Sequence, residues 1–163
     1  MVSLLRMRSF QRLVHQLKYK GRKDIGIFLG EQYGLLLKYA PLFNCADAII
    51  PVPLHKKKYM QRGYNQSEQF AIGLARSMNI PMHRHLLIRT KATETQTRKS
   101  RFSRYQNVKE IFAVSSPHQW AGKHMILVDD VVTTGATLES CIQALTAIPE
   151  VKISVACIAT AMI

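Results

Sequence analysis

The sequence predicts an α/β fold: a mostly parallel, doubly wound sheet flanked by helices, with a helical segment at its N-terminal end. Three observations carry this. Short apolar runs alternate with longer stretches of helical periodicity, the pattern of a parallel sheet with crossover helices. One run, residues 125–128, ends in two adjacent acids and a Thr/Gly turn that leads straight into a helix. Another, residues 46–51, stops at Pro51 and Pro53, which remove ladder donors and fix φ.

Taken in order, residues 3–19 read as a helix with Phe10, Leu13, Val14 and Leu17 on one face. After Gly21, a second helix is expected from Lys23 or Asp24 to Tyr39, with Ile25, Phe28, Leu29, Leu35 and Leu36 inward. Residues 46–51 form a strand, and a basic loop follows. Asn65 and Glu68 have capping-box spacing before a helix that turns Phe70, Ala71, Leu74, Ala75 and Met78 to the core. Residues 82–88, 112–114 and 124–128 are expected strands. A helix over 137–148 with Leu138, Cys141, Ile142, Leu145 and Ile148 at helical spacing precedes a last strand at 152–160. The 163 residues thus make one domain, residues 1–40 a helical segment and 46–163 the α/β core.

Composition narrows the class. A hydrophobic content of 47% and a mean hydropathy of −0.04 suit a soluble domain, and no run reaches membrane-span length. A cytoplasmic address is expected, since the N-terminus lacks the apolar core of a signal peptide. Cys45, Cys141 and Cys157 are scattered without a CxxC pair, so neither disulfides nor a zinc ribbon are expected, and all three read as small buried hydrophobes. His15, His55 and His124 read as surface or satisfied core groups. With 23 Lys and Arg against 10 Asp and Glu, the net charge of +13 predicts an anionic partner. Much of that charge lies in three stretches, 1–23, 55–62 and 89–104.

The chemistry concentrates in Val128-Asp129-Asp130-Val131-Val132-Thr133-Thr134-Gly135-Ala136-Thr137. A helix N-terminus exposes unpaired N–H groups and the positive end of its macrodipole, which favours a phosphate. Gly135 permits positive φ, and three threonines add hydroxyl donors. Acids beside a phosphate need an intermediary, and ribose hydroxyls or the waters of a magnesium ion both suit Asp129 and Asp130. Downstream of Pro53, Lys56, Lys57 and Arg62 offer cations where a pyrophosphate would lie, and Arg62 is favoured over Lys57. The polar stretch 89–108, including Arg98 and Lys99, reads as a basic lid or as a nucleic-acid-binding helix with Phe102 and Tyr105.

The acid pair and its turn closely resemble the diphosphate-sugar signature of type I phosphoribosyltransferases. That resemblance implies a type I phosphoribosyltransferase-like fold and phosphoribosyl diphosphate with magnesium as ligand. It assigns Asp129 and Asp130 to the ribose hydroxyls and to an indirect metal contact, and residues 131 and 133–137 (Val131, Thr133, Thr134, Gly135, Ala136, Thr137) to the phosphate turn. For an enzyme it implies displacement of magnesium pyrophosphate, with Asp129 and Asp130 orienting the sugar and Arg98, Lys99, Lys56, Lys57 and Arg62 offsetting charge. Purine-salvage relatives place a base-contacting acid where this chain has Thr133, so the acceptor is not read.

Leu17-Lys18-Tyr19-Lys20-Gly21, Pro51-Val52-Pro53-Leu54 and Arg62-Gly63-Tyr64-Asn65-Gln66 narrow the resemblance to the ComF family of competence-associated proteins. Gln96, Arg104 and Asn107-Val108 with Phe112 belong to the same pattern. The family implies a role in DNA uptake, with single-stranded DNA or the competence machinery as partner. It leaves open whether the scaffold turns over substrate or only binds DNA. Members commonly carry an N-terminal zinc segment with paired cysteines; this sequence has no such residues, and zinc contacts are not carried over. Oligomeric state is unread, although apolar faces on the first helix pair could serve a dimer.

Overall fold

A computed structural model describes residues 2–3, 8–90 and 111–160. Four parallel strands form the main sheet in the order β1 (Val2–Ser3), β6 (Lys152–Thr160), β5 (His124–Val132) and β2 (Ala48–Pro51). Beyond β2, Met82 forms an isolated parallel bridge with Ile49. The chain leaves β2 toward Met82 on one side and returns to β5 on the other. The strand order therefore reverses at β2 and β5, and the crevice above their C-terminal ends is where a doubly wound sheet holds ligands. A separate antiparallel pair joins β3 (Leu87–Thr90) to β4 (Ile111–Val114).

Alternation along β5 splits the core. Ile126 and Val128 pack with Leu17, Tyr33, Leu37 and Phe70 on one face. Met125 and Leu127 pack with Leu138, Cys141, Leu145 and Ile148 on the other. The first face is covered by helices α1 (Arg8–Tyr19), α2 (Lys23–Leu37) and α4 (Gln66–Met78), the second by α5 (Ala136–Leu145) and the β3–β4 pair. No helix among the described residues is long and apolar enough to cross a membrane.

Several sequence expectations change. Residues 3–19 are not one helix: Val2 and Ser3 form an edge strand on β6, and α1 spans Arg8–Tyr19. The inward face of α2 is only partly its large apolar stripe. Ile25 is buried and Leu29 packs against the core as expected, but Phe28, Leu35 and Leu36 are exposed, while Gly26, Gly30, Tyr33, Gly34 and Leu37 are buried. The reason is backbone proximity. A Cβ at Gly30 would strike the Phe70 carbonyl oxygen, and one at Gly73 the Ile27 carbonyl oxygen, so α2 and α4 meet through glycines where larger side chains cannot fit.

The expected basic loop contains helix α3 (Lys56–Arg62), capped by His55, whose Nδ1 accepts from the Lys57 N–H at 3.1 Å, and closed by Gly63 at φ 76°. Residues 82–88 give only the Met82 bridge before β3 begins at Leu87. Asn65 caps α4 by accepting from the Ser67 N–H at 3.1 Å. Glu68 does not reciprocate, pairing instead with Arg84 at 3.1 Å. Cys141 and Cys157 are buried as expected, but Cys45 is exposed, its Sγ 3.5 Å from His124 Nδ1. His124 is a satisfied core group, its Nε2 lying 2.9 Å from Ser154 Oγ.

Candidate functional site

The fully buried part of β5 ends at Val128; Asp129 and Asp130 follow while the strand still pairs with β6. An acid at the rim of a core is poorly solvated, so its oxygens must find donors. Asp129 Oδ1 accepts from the Ser67 hydroxyl at 2.9 Å and from the Asp130 N–H at 2.8 Å. Asp130 Oδ1 accepts from the Val131 N–H at 2.7 Å, and its Oδ2 pairs with the Lys18 ammonium at 3.1 Å. Burial, reinforced by the neighbouring charge of Asp130, raises the Asp129 carboxyl to about 6; the Ser67 bond and Lys18 oppose that rise. Two adjacent acids, one reluctant to ionise, make a site that accepts hydrogen bonds and attracts positive charge.

Beyond β5 the chain turns through residues 133–135 into α5. Gly135 sits at the N-cap with φ 81°, the left-handed conformation that L side chains rarely adopt, and as a glycine it offers no capping side chain of its own. Thr134 Oγ1 accepts from the Ala136 N–H at 3.4 Å. Asp129 and residues 131–138 together line a recess of about 40 Å³. The structure thus brings together Asp129, Val131, Thr133, Thr134, Gly135, Ala136 and Thr137, with Asp130 adjoining them. It is a small polar recess at a helix N-terminus, suited to one tetrahedral anion.

The pyrophosphate candidates stand on the neighbouring strand end. The Val52 N–H donates to the Val128 carbonyl at 2.8 Å, and Asn65 Nδ2 donates to the Val52 carbonyl at 2.9 Å, so the exit of β2 is tied both to β5 and to the cap of α4. Pro53 follows, and Lys56 and Lys57 stand exposed on the first turn of α3. Arg62 is half-buried. Its Nη1 donates to Gln66 Oε1 at 2.8 Å, its guanidinium lies 5.5 Å from the Tyr19 ring centroid, and its Nε is buried without a partner among the described residues. Arg98 and Lys99, with the rest of the expected lid, lie outside the described residues.

Two site residues escaped the sequence reading. Ser67 was hidden inside the start of α4, and Lys18 stood in the first basic stretch with nothing to tie it to β5. Alternation gives the missing signal for Lys18: Asp130 shares the parity of Ile126 and Val128, which face the α1 side of the sheet. A larger hollow of about 500 Å³ lies between residues 82–86 and 115–120, where His83 meets Trp120 edge-on at 4.5 Å; it shares no residue with the turn.

The sequence pattern of the Phosphoribosyl transferase domain matches residues 65–162. The chain belongs to that family. Within it, the chain is a ComF-type member. It is 37% identical over 136 residues to the DNA utilization protein YhgH of Escherichia coli O157:H7, a match covering 82% of this chain and 59% of that protein. It is 41% identical over 93 residues to competence protein F of Haemophilus influenzae, covering 56% of this chain and 41% of that protein. The chain thus spans less than two thirds of the length of these relatives.

Among solved structures, glutamine phosphoribosylpyrophosphate amidotransferase of B. subtilis is similar with a TM-score of 0.56 at 20% identity, covering 88% of this chain and 30% of that one. Adenine phosphoribosyltransferase of Leishmania tarentolae gives 0.51 at 16%, covering 87% and 60%. These likenesses concern the fold, the type I phosphoribosyltransferase α/β sheet.

Proposed function

We propose that this ComF-type protein binds phosphoribosyl diphosphate with magnesium and serves DNA uptake in the cytoplasm. The observation that carries the ligand is the recess lined by Asp129 and residues 131–138, with Asp130 next in the chain. The turn amides and the Thr133, Thr134 and Thr137 hydroxyls would hold the 5′-phosphate, and Asp129 and Asp130 would accept from the ribose hydroxyls. Pro53, Lys56, Lys57 and Arg62 would face the pyrophosphate. Names of relatives that refer to competence and DNA utilization support the biological setting.

Magnesium fits the donor set. Asp129 Oδ2 has no hydrogen-bond partner among the described residues, and hard carboxylate oxygens suit a water-mediated contact. Bound there, the ion would neutralise part of the diphosphate charge. In turnover, this chain's part would be to orient the sugar through Asp129 and Asp130, fix its phosphate in the turn, and stabilise departing pyrophosphate with Lys56, Lys57 and Arg62. Calorimetric titration with phosphoribosyl diphosphate and magnesium tests the reading. Saturable binding that the Asp129→Asn, Asp130→Asn double variant abolishes is the expected result. Binding unchanged in that variant, or absent in the parent, overturns it.

The net charge of +13 and the exposed Lys56, Lys57 and Lys58 favour a second, compatible reading, single-stranded DNA binding on this scaffold with little or no transferase activity. Affinity for an oligonucleotide should then fall steeply as salt rises and drop again when the three lysines become glutamates. Absent or salt-insensitive binding counts against it.

A further inference from the structure

Lys18, which has no part in the proposed ligand contacts, makes with Asp130 the least exposed ion pair among the described residues. Their side chains are 21% and 14% exposed, whereas Arg22–Asp24 is 55% and 63%, Arg76–Glu31 60% and 39%, and Lys123–Asp47 49% and 37%. An exposed lysine is rarely held by one carboxylate, because immobilising its long side chain offsets most of the gain. Here the backbone on both sides of Lys18 is fixed. Leu17 is fully buried and its carbonyl accepts the Tyr64 hydroxyl, and the Tyr19 ring lies beneath the Arg62 guanidinium. The Arg62–Gln66 block therefore anchors the end of α1 and delivers the ammonium to Asp130.

Asp130 Oδ1 accepts from the Val131 N–H, and the Lys18 ammonium holds Oδ2. A divalent ion seeking that oxygen meets a resident positive charge within a few ångströms, in a half-buried setting where screening is weak. We propose that Lys18 is the built-in counter-cation of the acid pair and keeps a bare divalent ion off it. This makes Lys18 a positioning residue that acts through Asp130. It rests on the assignment of Asp129 and Asp130 to the sugar-diphosphate site.

Manganese binding to the whole chain without any sugar phosphate, followed by electron paramagnetic resonance of the free ion, isolates the effect. Lys18→Met and Lys18→Gln should each tighten manganese binding about ten-fold or more, the order expected when a unit charge beside a divalent ion is removed. Lys18→Arg should match the parent, and adding Asp130→Asn to Lys18→Met should erase the gain. Thermal melts identify a variant that fails to fold, in which case the other neutral variant decides. Unchanged manganese affinity in a folded neutral variant overturns the proposal, as does a gain that survives Asp130→Asn. Because these titrations contain no phosphoribosyl diphosphate, failure of the ligand reading appears separately, as absent sugar-diphosphate binding by the parent.

Discussion

The Ser67 hydroxyl donates to Asp129 Oδ1 at 2.9 Å, linking the first turn of α4 to the end of β5. The bond favours the ionised carboxylate against burial and against the charge of Asp130, both of which raise it to about 6. Ser67→Ala should leave Asp129 protonated over a wider pH range. On the proposed function, affinity for phosphoribosyl diphosphate should fall roughly three- to ten-fold near pH 6, the size of one lost charge-assisted hydrogen bond, and less at pH 8, where Asp129 ionises regardless. Calorimetry at both values checks this; an equal loss at the two would show that Ser67 acts on shape and not on charge.

The same carboxylate costs the fold stability. Its folded value of about 6 lies above its ordinary 3.8, so between those values the native state binds more protons than the unfolded chain. Stability attributable to this group therefore falls as pH rises from about 4 to about 6, and the penalty is complete by pH 7. Asp129→Asn removes it while its amide oxygen can still accept from Ser67 and from the Asp130 N–H. The variant should be more stable than the parent at pH 7 by on the order of 1–2 kcal/mol, with the advantage gone near pH 4, even as it loses ligand affinity. Urea unfolding at the two pH values measures it.

Local periodicity made β6 legible to the residue at 152–160, and a chemical pattern made the acid pair and its turn legible, because both are written in contiguous sequence. The inward face of α2 was legible only in part. Ile25 and Leu29 turn inward as their hydropathy suggested, but Phe28, Leu35 and Leu36 do not, since the decisive contact is of Gly26, Gly30 and Gly34 with α4 and hydropathy assigns glycine little weight. Ser67 and Lys18 were hidden for a related reason. Each is ordinary in its own helix and gains meaning only when the sheet brings β5 alongside, 62 residues from Ser67.

Gly30→Ala tests that helix contact. The added methyl would meet the Phe70 carbonyl oxygen and crowd the Gly73 Cα at 2.9 Å, both backbone atoms that cannot rotate away. Helix propensity alone favours alanine by about 1 kcal/mol. Separation of α2 from α4 should outweigh it, giving a net loss of about 2 kcal/mol or more. The urea midpoint checks the sign: a rise would mean the helices can part at little cost.

Tyr64→Phe probes the joint between the two ComF-type motifs. The last carbonyls of a helix lack partners within it, and that of Leu17 is supplied by the Tyr64 hydroxyl, a C-terminal cap donated from 47 residues away. Tyr64 is only 4% exposed, so water does not readily replace the lost donor. The ring still fills its place in the core, and the variant isolates the hydroxyl. Stability should fall by about 1–2 kcal/mol, with faster amide exchange in the last turn of α1 and little change in β5. Since that turn carries Lys18, manganese affinity should also rise toward that of the neutral Lys18 variants. A stability loss without either change would mean that the hydroxyl serves the core but does not hold Lys18 on Asp130.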